Sequence, residues 1–301
     1  MSKNDSFYLT NEFIDGKKIM KDSTVSICSI VRDCGSNLKR NIPRIEHLRS
    51  FFKESEVIIF ENDSIDSTKE ILIDWAKRSA NVHVFTENLG STTIPSRKSL
   101  TGNPYYSISR IEKMAKYRNK YIQFLIPDQI SRDFVVIIDL DISDFDIDGI
   151  IHSFGTNIEW DCITANGTSV SSKFKRQYHD AYALIEFGKL KLVQTEQSIK
   201  LNRSLYSFLK KGMPLFHVDS AYGGLAIYKW KSMKDIYYSY VLNNDGRVQC
   251  KNEHVGFHKA MIEKGYNKIF INPSMQVKYR SITFQFLLTK LIEKLNVKSL
   301  S

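Results

Sequence analysis

Asp139-Leu140-Asp141 stands directly after the apolar run VVII. Two carboxylates separated by one residue at a strand end can both approach one divalent cation, and oxygen ligands of this kind suit Mg2+ or Mn2+. Such a cation bridges a diphosphate and stabilises the negative charge that gathers on it as a leaving group. Acidic turns after strands are also common as plain solvated ends, and Asp144, Asp146 and Asp148 follow directly. A second constellation, Glu61-Asn62-Asp63-Ser64 with Asp66, follows the run EVIIF. Its short acidic and amide side chains can accept hydrogen bonds from the ribose or base of a nucleotide. Helix capping accounts for Ser64, Asp66 and Ser67, with Glu70 spaced for a capping box with Ser67, but it does not need Glu61 or Asp63. Val31-Arg32-Asp33, at the end of the run TVSICSIV, is the matching edge of the same crevice. Val31, Arg32, Glu61, Asp63, Asp139 and Leu140 are therefore the expected nucleotide contacts on this edge.

Further along, His217-Val218-Asp219-Ser220-Ala221-Tyr222-Gly223-Gly224 reads as a polar loop entering a strand, with Asp219 placed to orient an acceptor hydroxyl. Its paired glycines suit close approach of backbone or substrate, and equally a bulge or tight turn. Glu253, His254 and His258 lie on a helix predicted over NEHVGFHKAMIEK, ending at Gly265. The histidines, four apart, share a face. A carboxylate such as Glu253 can act as a base or orient an acceptor; the bland reading of the pair is one packed and one surface histidine. Asn166, Tyr178, His179 and Asp180 are weaker candidates to line an acceptor cleft.

The elements that must position these groups alternate. Residues 24–31, 57–60, 82–85 and 134–138 are apolar, β-branched runs of the kind that form buried parallel strands, with helical patterns between them. RIEKMAKYRNKYIQFL carries apolar residues near helical spacing. This alternation predicts an α/β fold with a doubly wound, mostly parallel Rossmann-like sheet and ligands outside the carboxyl ends of its strands. WDCITANG predicts another strand, and the polar stretch from Thr86 to about Tyr106 a loop. No G-x-G-x-x-G and no P-loop follows any strand, which removes the main support for dinucleotide binding or ATP hydrolysis.

The order SIVRDC, IIFENDSIDST, a helix bearing RIEKMAKYRN, and VVIIDLD resembles that of GT-A glycosyltransferases. More narrowly it is similar to the cryptococcal α-1,3-mannosyltransferase and capsule-associated family and its bacterial and viral relatives, over roughly residues 24–275. The resemblance implies a GT-A domain over residues 1–282, with a nucleotide-sugar half at about 24–148 and an acceptor half at about 149–282. It implies that Asp139 and Asp141 bind a nucleoside diphosphate sugar through Mn2+ or Mg2+, and that a late histidine such as His258 completes the metal shell. Arg110, Arg118 and Asn119 then face the donor pocket. The two arginines lie eight residues apart, near enough in phase to share a helix face, and their forked donors suit phosphate. A basic solvated face with Lys113, Lys116 and Lys120 is the alternative. The activity implied is transfer of a hexose, mannose in the narrower family, to a glycan or lipid-linked glycan of a surface polysaccharide. The resemblance leans towards retention, whereas an inverting enzyme would use Glu253 or Asp219 as base. A catalytically silent GT-A binding protein and a nucleotidyltransferase are the competing classes.

The bulk properties agree with a large enzyme domain. The 301 residues are 42% hydrophobic and 12% aromatic, with no repeat or low-complexity tract. A net charge of +10 suits an anionic partner. No interleaving of arginines and aromatics points to nucleic acid. Cys28, Cys34, Cys162 and Cys250 show no C-x-x-C pairing, and the amino terminus lacks the apolar core of a signal peptide. A cytoplasmic location is expected. Residues 283–301, with Phe284, Phe286, Leu287, Leu288, Leu291 and Ile292 among basic residues, predict an amphipathic helix suited to peripheral contact with an anionic membrane, or to packing on the domain or a dimer partner.

Overall fold

The computed structural model describes residues 10–91, 102–126, 132–171 and 174–279. Strands and helices alternate through its first half: α1 (Asn11–Asp22), β1 (Thr24–Val31), α2 (Gly35–Arg49), β2 (Glu54–Asn62), α3 (Thr68–Arg78), β3 (Val82–Glu87), α4 (Ile108–Leu125) and β4 (Phe134–Ile138). The second half is less regular. It holds β5 (Asp144–Phe145), α5 (Ile147–Phe154), β6 (Cys162–Val170), β7 (Arg176–Tyr178), β8 (Ile185–Glu186), α6 (Glu196–Leu205), β9 (Phe216–Ser220), β10 (Leu225–Lys229), α7 (Trp230–Met233), β11 (Val241–Leu242), β12 (Cys250–Lys251), α8 (Glu253–Glu263) and β13 (Ile269–Lys278).

The main sheet runs β3-β2-β1-β4-β10-β6-β13-β9-β8, with β5 on β13 and β7 on β6. It is parallel from β3 to β4 and again between β6 and β13, while β10 runs antiparallel to both β4 and β6. The architecture is thus α/β with a mixed sheet. FHVDS, expected as loop, is strand β9, paired with β13 and β8. The predicted helix over 283–301 lies outside the described residues, as does part of the polar stretch before Tyr106. No helix among the described residues is long and apolar enough to cross a membrane.

The pleat explains why the parallel strands are apolar throughout. Ile27, Val57, Ile59, Val136 and Ile138 face a layer containing Leu38, Ile45, Leu72 and Trp75. Their neighbours Cys28, Ile58, Val135 and Ile137 face the other layer, with Ile111, Ala115, Tyr121, Ile122 and Leu125 of α4. Each fully buried aliphatic side chain contributes about 1.5–3 kcal/mol, so both faces of these strands are committed to the core. What remains for chemistry is the edge.

At that edge β1 and β2 both end in left-handed aspartates, Asp33 (φ 47°) and Asp63 (φ 53°). Aspartate tolerates this region better than most residues. The two turns interlock: Asp33 N–H donates to Ser64 Oγ at 3.1 Å, and the Asp33 carboxylate accepts from Ile65 N–H at 2.8 Å. The cap of α3 is Asp66 rather than the Ser67–Glu70 box, since Ser67 makes no capping bond. Asp66 accepts from Thr68 N–H, and its other oxygen accepts from Gly35 N–H, each at 3.0 Å. One carboxylate therefore ties the start of α3 to the start of α2.

Candidate active site

A crevice of about 310 Å3 opens outside the carboxyl ends of β1 and β4. Val31 and Arg32 form one wall, Arg110 and Arg118 of α4 another, and Glu253 and His254 of α8 the back; Asp139 and Asp141 stand in it. This is where an open α/β sheet presents ligands.

Asp139 is held rigidly. Tyr222 Oη donates to one carboxylate oxygen at 2.8 Å and Tyr279 Oη to the other at 2.7 Å, and Arg118 Nη2 lies 3.5 Å away. Its backbone N–H donates to Gly224 O at 2.9 Å. Gly224 has φ 90°, and a Cβ there would sit 2.6 Å from Tyr279 Oη, so glycine is required for the tyrosine to reach Asp139. Arg118 is 3% exposed, its Nε donating to Glu253 at 3.2 Å, and it lies over the Tyr222 ring. Tyr222 in turn stacks on His254 at 3.8 Å. Burial, then Arg118 and His258, hold His254 far below the ordinary histidine range, so it stays neutral.

Asp141 differs from Asp139. Its side chain is open to the crevice, and beyond its own backbone its carboxylate has no partner among the described residues. The surrounding protein and the charge of Asp139 nevertheless raise it to about 6. Four carboxyl groups line the crevice, Asp139, Asp141, Asp180 and Glu253, against three guanidiniums, and of these Arg32 is paired with Asp33 at 3.5 Å. Among the described residues no three His, Cys, Asp or Glu side chains form a metal cage. An exposed carboxylate beside a fixed one, in a cluster short of positive charge, nonetheless fits a hard cation that takes its other oxygens from water and a diphosphate.

Of the residues singled out from sequence, Val31, Arg32, Asn62, Arg110, Arg118, Asp139, Asp141, His179, Asp180, Glu253 and His254 come together here, and Tyr178 lines a second cavity beside it. The others stand elsewhere. Leu140 is 1% exposed, in the core. Glu61 is buried, with one oxygen accepting from Ser64 N–H at 2.9 Å. Asp63 accepts from the N–H groups of Leu89 and Gly90 at 2.6 and 2.8 Å, and from Ser91 Oγ at 3.2 Å. Desolvation opposes its charge, but these bonds and one from Asn62 prevail and hold its carboxyl well below the usual range. It is a clamp on the turn after β3. Asn119 exchanges hydrogen bonds with the backbone of Tyr238. Asp219 accepts from Leu190 N–H at 2.8 Å. His258 is fully buried between Ser220 Oγ and Tyr228 Oη, each 2.9 Å away, and burial lowers it to about 3. Tyr222, Tyr279 and Asn252 were not anticipated. The Tyr-Gly-Gly triplet was the available signal for the first, and nothing local marks the second.

A larger cavity of about 870 Å3 adjoins the crevice and shares Arg110, Asp141, His179, Asp180, Asn252 and Tyr279 with it. Tyr105, Tyr106, Tyr178 and Tyr182 give it aromatic walls. Asp180 sits at the seam with φ 56°, and no described residue hydrogen-bonds its carboxylate. Burial, then the charges of Glu253 and Asp139, raise it to about 8.

No family model matches the chain, and no curated protein sequence does. Solved structures with a similar chain course include the following three. Glucosyl-3-phosphoglycerate synthase from Mycobacterium tuberculosis is 12% identical with a TM-score of 0.45, covering 91% of this chain and 78% of that one. The mannosyltransferase PcManGT from Pyrobaculum calidifontis, solved with GDP-Man and Mn2+, is 11% identical with a TM-score of 0.44, over 91% and 64%. TarS of S. aureus is 16% identical with a TM-score of 0.44, over 84% and 59%.

Proposed function

We propose that the protein is a metal-dependent glycosyltransferase of GT-A type, which moves a hexose from a nucleoside diphosphate sugar to a hydroxyl of a glycan acceptor. The narrower resemblance in the sequence points to mannose and to a surface polysaccharide or glycoconjugate. The observation that carries the reading is the carboxylate excess at the carboxyl edge of the parallel strands, centred on the open Asp141 and the fixed Asp139. These two would hold Mg2+ or Mn2+, which when bound offsets the charge developing on the leaving diphosphate.

The chain's own groups divide the remaining work. Arg110 lines both cavities and offers a guanidinium to phosphate oxygens. Tyr222 and Tyr279 fix the Asp139 carboxylate from both sides, so that it does not reorganise during the reaction. The tyrosine-walled cavity receives the acceptor. Glu253 is engaged by buried Arg118, which leaves Asp180, at the seam and without a hydrogen-bond partner, to take the proton of the attacking hydroxyl. A raised carboxyl of this kind has a base strength near neutral pH, as a general base needs. The acceptor oxygen bonds to the anomeric carbon as the bond to the diphosphate breaks, and the proton passes to Asp180. This route inverts the anomeric centre; the retention that the resemblance implies would instead pass the proton to the leaving diphosphate without a dedicated base, and the anomer of the product decides between the two.

Thermal stabilisation by a panel of nucleoside diphosphates and their sugars tests the donor site, with Mn2+ and with EDTA, in wild type and Asp141→Ala. A stabiliser that requires metal and loses its effect in the variant supports the reading and identifies the base. Failure of every donor with the wild type would transfer support to a silent binding scaffold.

A further inference from the structure

On the far side of α6 from the acceptor cavity, the chain displays aliphatic side chains to water. Leu192 is 58% exposed, Leu201 54%, Val193 49% and Leu205 49%, and all four line one open groove of about 330 Å3. Leu201 and Leu205, four apart on α6, share its outer face. The same helix carries Arg203, which lines the acceptor cavity.

These side chains are held out by design of the loop beneath them. Buried Lys251 Nζ donates to Leu190 O and, at 2.9 Å, to Leu192 O. Asp219 accepts from Leu190 N–H, and buried Asn243 both accepts from Gln194 N–H at 2.9 Å and donates to Gln194 O at 2.8 Å. Three buried polar residues therefore fix both ends of a five-residue segment whose middle, Leu192-Val193, points into solvent. A loop left to itself would fold such side chains inward, because apolar exposure is unfavourable. Rigid presentation of an aliphatic ridge suits a surface that covers it.

The charges around the ridge indicate which surface. Lys189 and Lys191 flank Leu192 and Lys200 adjoins Leu201, against Glu186 and Glu196; Arg203 lies across α6, and Lys211 is paired with Asp146 at 3.0 Å. Glu186 is paired with Lys189 and Glu196 with Arg247. Aliphatic side chains fringed by lysine are the pattern of a face that lies in a membrane interface, with the alkyl groups among the acyl chains and the cations at anionic headgroups. We propose that the groove formed by residues 184–205 docks on an anionic lipid surface, with the mouth of the acceptor cavity on the other side of α6. This face is distinct from residues 283–301, and it stands whether or not the crevice transfers a sugar.

The test is co-sedimentation of the full-length protein with phosphatidylglycerol-containing vesicles, and with vesicles of phosphatidylcholine alone. Binding is expected to the anionic vesicles only, and to weaken about tenfold or more as salt is raised. The double variant Leu192→Asp, Leu201→Asp is expected to weaken it about tenfold or more with an unchanged melting temperature, since both side chains already face water. Vesicle binding unaffected by the double variant overturns the proposal, as does equal binding to phosphatidylcholine. So does a wild type that ignores vesicles, including one that self-associates through this face and becomes monomeric in the variant.

Discussion

Lys251 and Glu253 stand two residues apart, yet they serve regions built on opposite rules. Lys251 sends its charge into the backbone of the 190–194 loop, where every hydrogen bond it makes ends on a carbonyl and the region is satisfied from within. Glu253 joins a cluster in which Arg118 faces two carboxylates, one oxygen of Glu253 and one nitrogen of Arg118 lack partners, and Asp141 and Asp180 are left to themselves. Buried polar groups without partners are costly, and protein interiors usually avoid them. The clamp is finished protein; the crevice is completed by something that enters it. The aspartates proposed from sequence as chemically active divide the same way, Asp219 belonging to the clamp, and Asp139 and Asp141 to the crevice.

The comparison breaks hardest at Arg118. Replacing it with Met leaves Glu253 and Asp139 buried without their cation, and breaking a buried pair in this way costs about 3–5 kcal/mol. Denaturant unfolding of Arg118→Met should show that loss. Asp180→Asn should do the reverse: a fall in kcat of about 100-fold to 10,000-fold, as for loss of a general base, with stability equal to or above wild type. Donor-induced thermal stabilisation should survive in Asp180→Asn, and product analysis by NMR should show an inverted anomer from the wild type. A retained anomer, or full activity of the variant, would remove Asp180 from the mechanism.

A smaller effect is expected at the clamp. Lys251→Met removes the donors to Leu190 O and Leu192 O and should cost about 1–3 kcal/mol, the range for leaving buried acceptors unsatisfied. Donor binding in the crevice should be unchanged, because the loop and the crevice share no hydrogen bond. If Lys251→Met abolishes metal-dependent donor stabilisation, the two regions are coupled through α8 and the contrast between them fails.

The sequence was most legible where one local pattern determines one outcome. The runs at β1, β2, β3 and β4 are apolar because both sheet faces are buried, and the residues after β1 and β4, Val31-Arg32 and Asp139 with Asp141, reach the crevice because a parallel strand leads there. Arg110 and Arg118 follow from helical phase. Legibility ended where a side chain's partner is distant in sequence. Nothing in Glu61-Asn62-Asp63 foretells that Asp63 will be taken up by the amides of residues 89–91. Strand β13 was hidden by Pro273 and the polar residues around it. They form a bulge, since its pairing with β6 jumps from Asn272↔Ala165 to Gln276↔Asn166. With β13 unseen, Tyr279 at its end was unseen too. Helix α1 was likewise missed, although its glycine meets Gly155 of the α5 end in close backbone contact, with a Cβ on Gly16 falling 1.9 Å from Ile151 O. Such a crossing is a property of two helices together and of neither alone.

His258 sharpens the contrast from a third position. Its spacing from His254 put it on a shared face, but α8 is buried on most sides, and the face of His258 turns to Ser220 and Tyr228 rather than to Asp141. Metal-dependent donor stabilisation should therefore be unchanged in His258→Gln. The pH dependence of stability should respond instead. The folded protein holds this imidazole at about 3, whereas an unfolded histidine titrates near 6.5. Between those values the unfolded chain binds the extra proton, so the contribution of neutral His258 is fully present above about pH 6.5 and is lost as pH falls from there towards 3. One pH unit within the window corresponds to about 1.4 kcal/mol. Unfolding measured at pH 7 and at pH 5.5 should show a smaller difference for His258→Gln than for wild type, even if the variant is less stable at both. Equal differences would mean that His258 takes up its proton in the fold as readily as in the unfolded chain, and would overturn its sealed position between Ser220 and Tyr228.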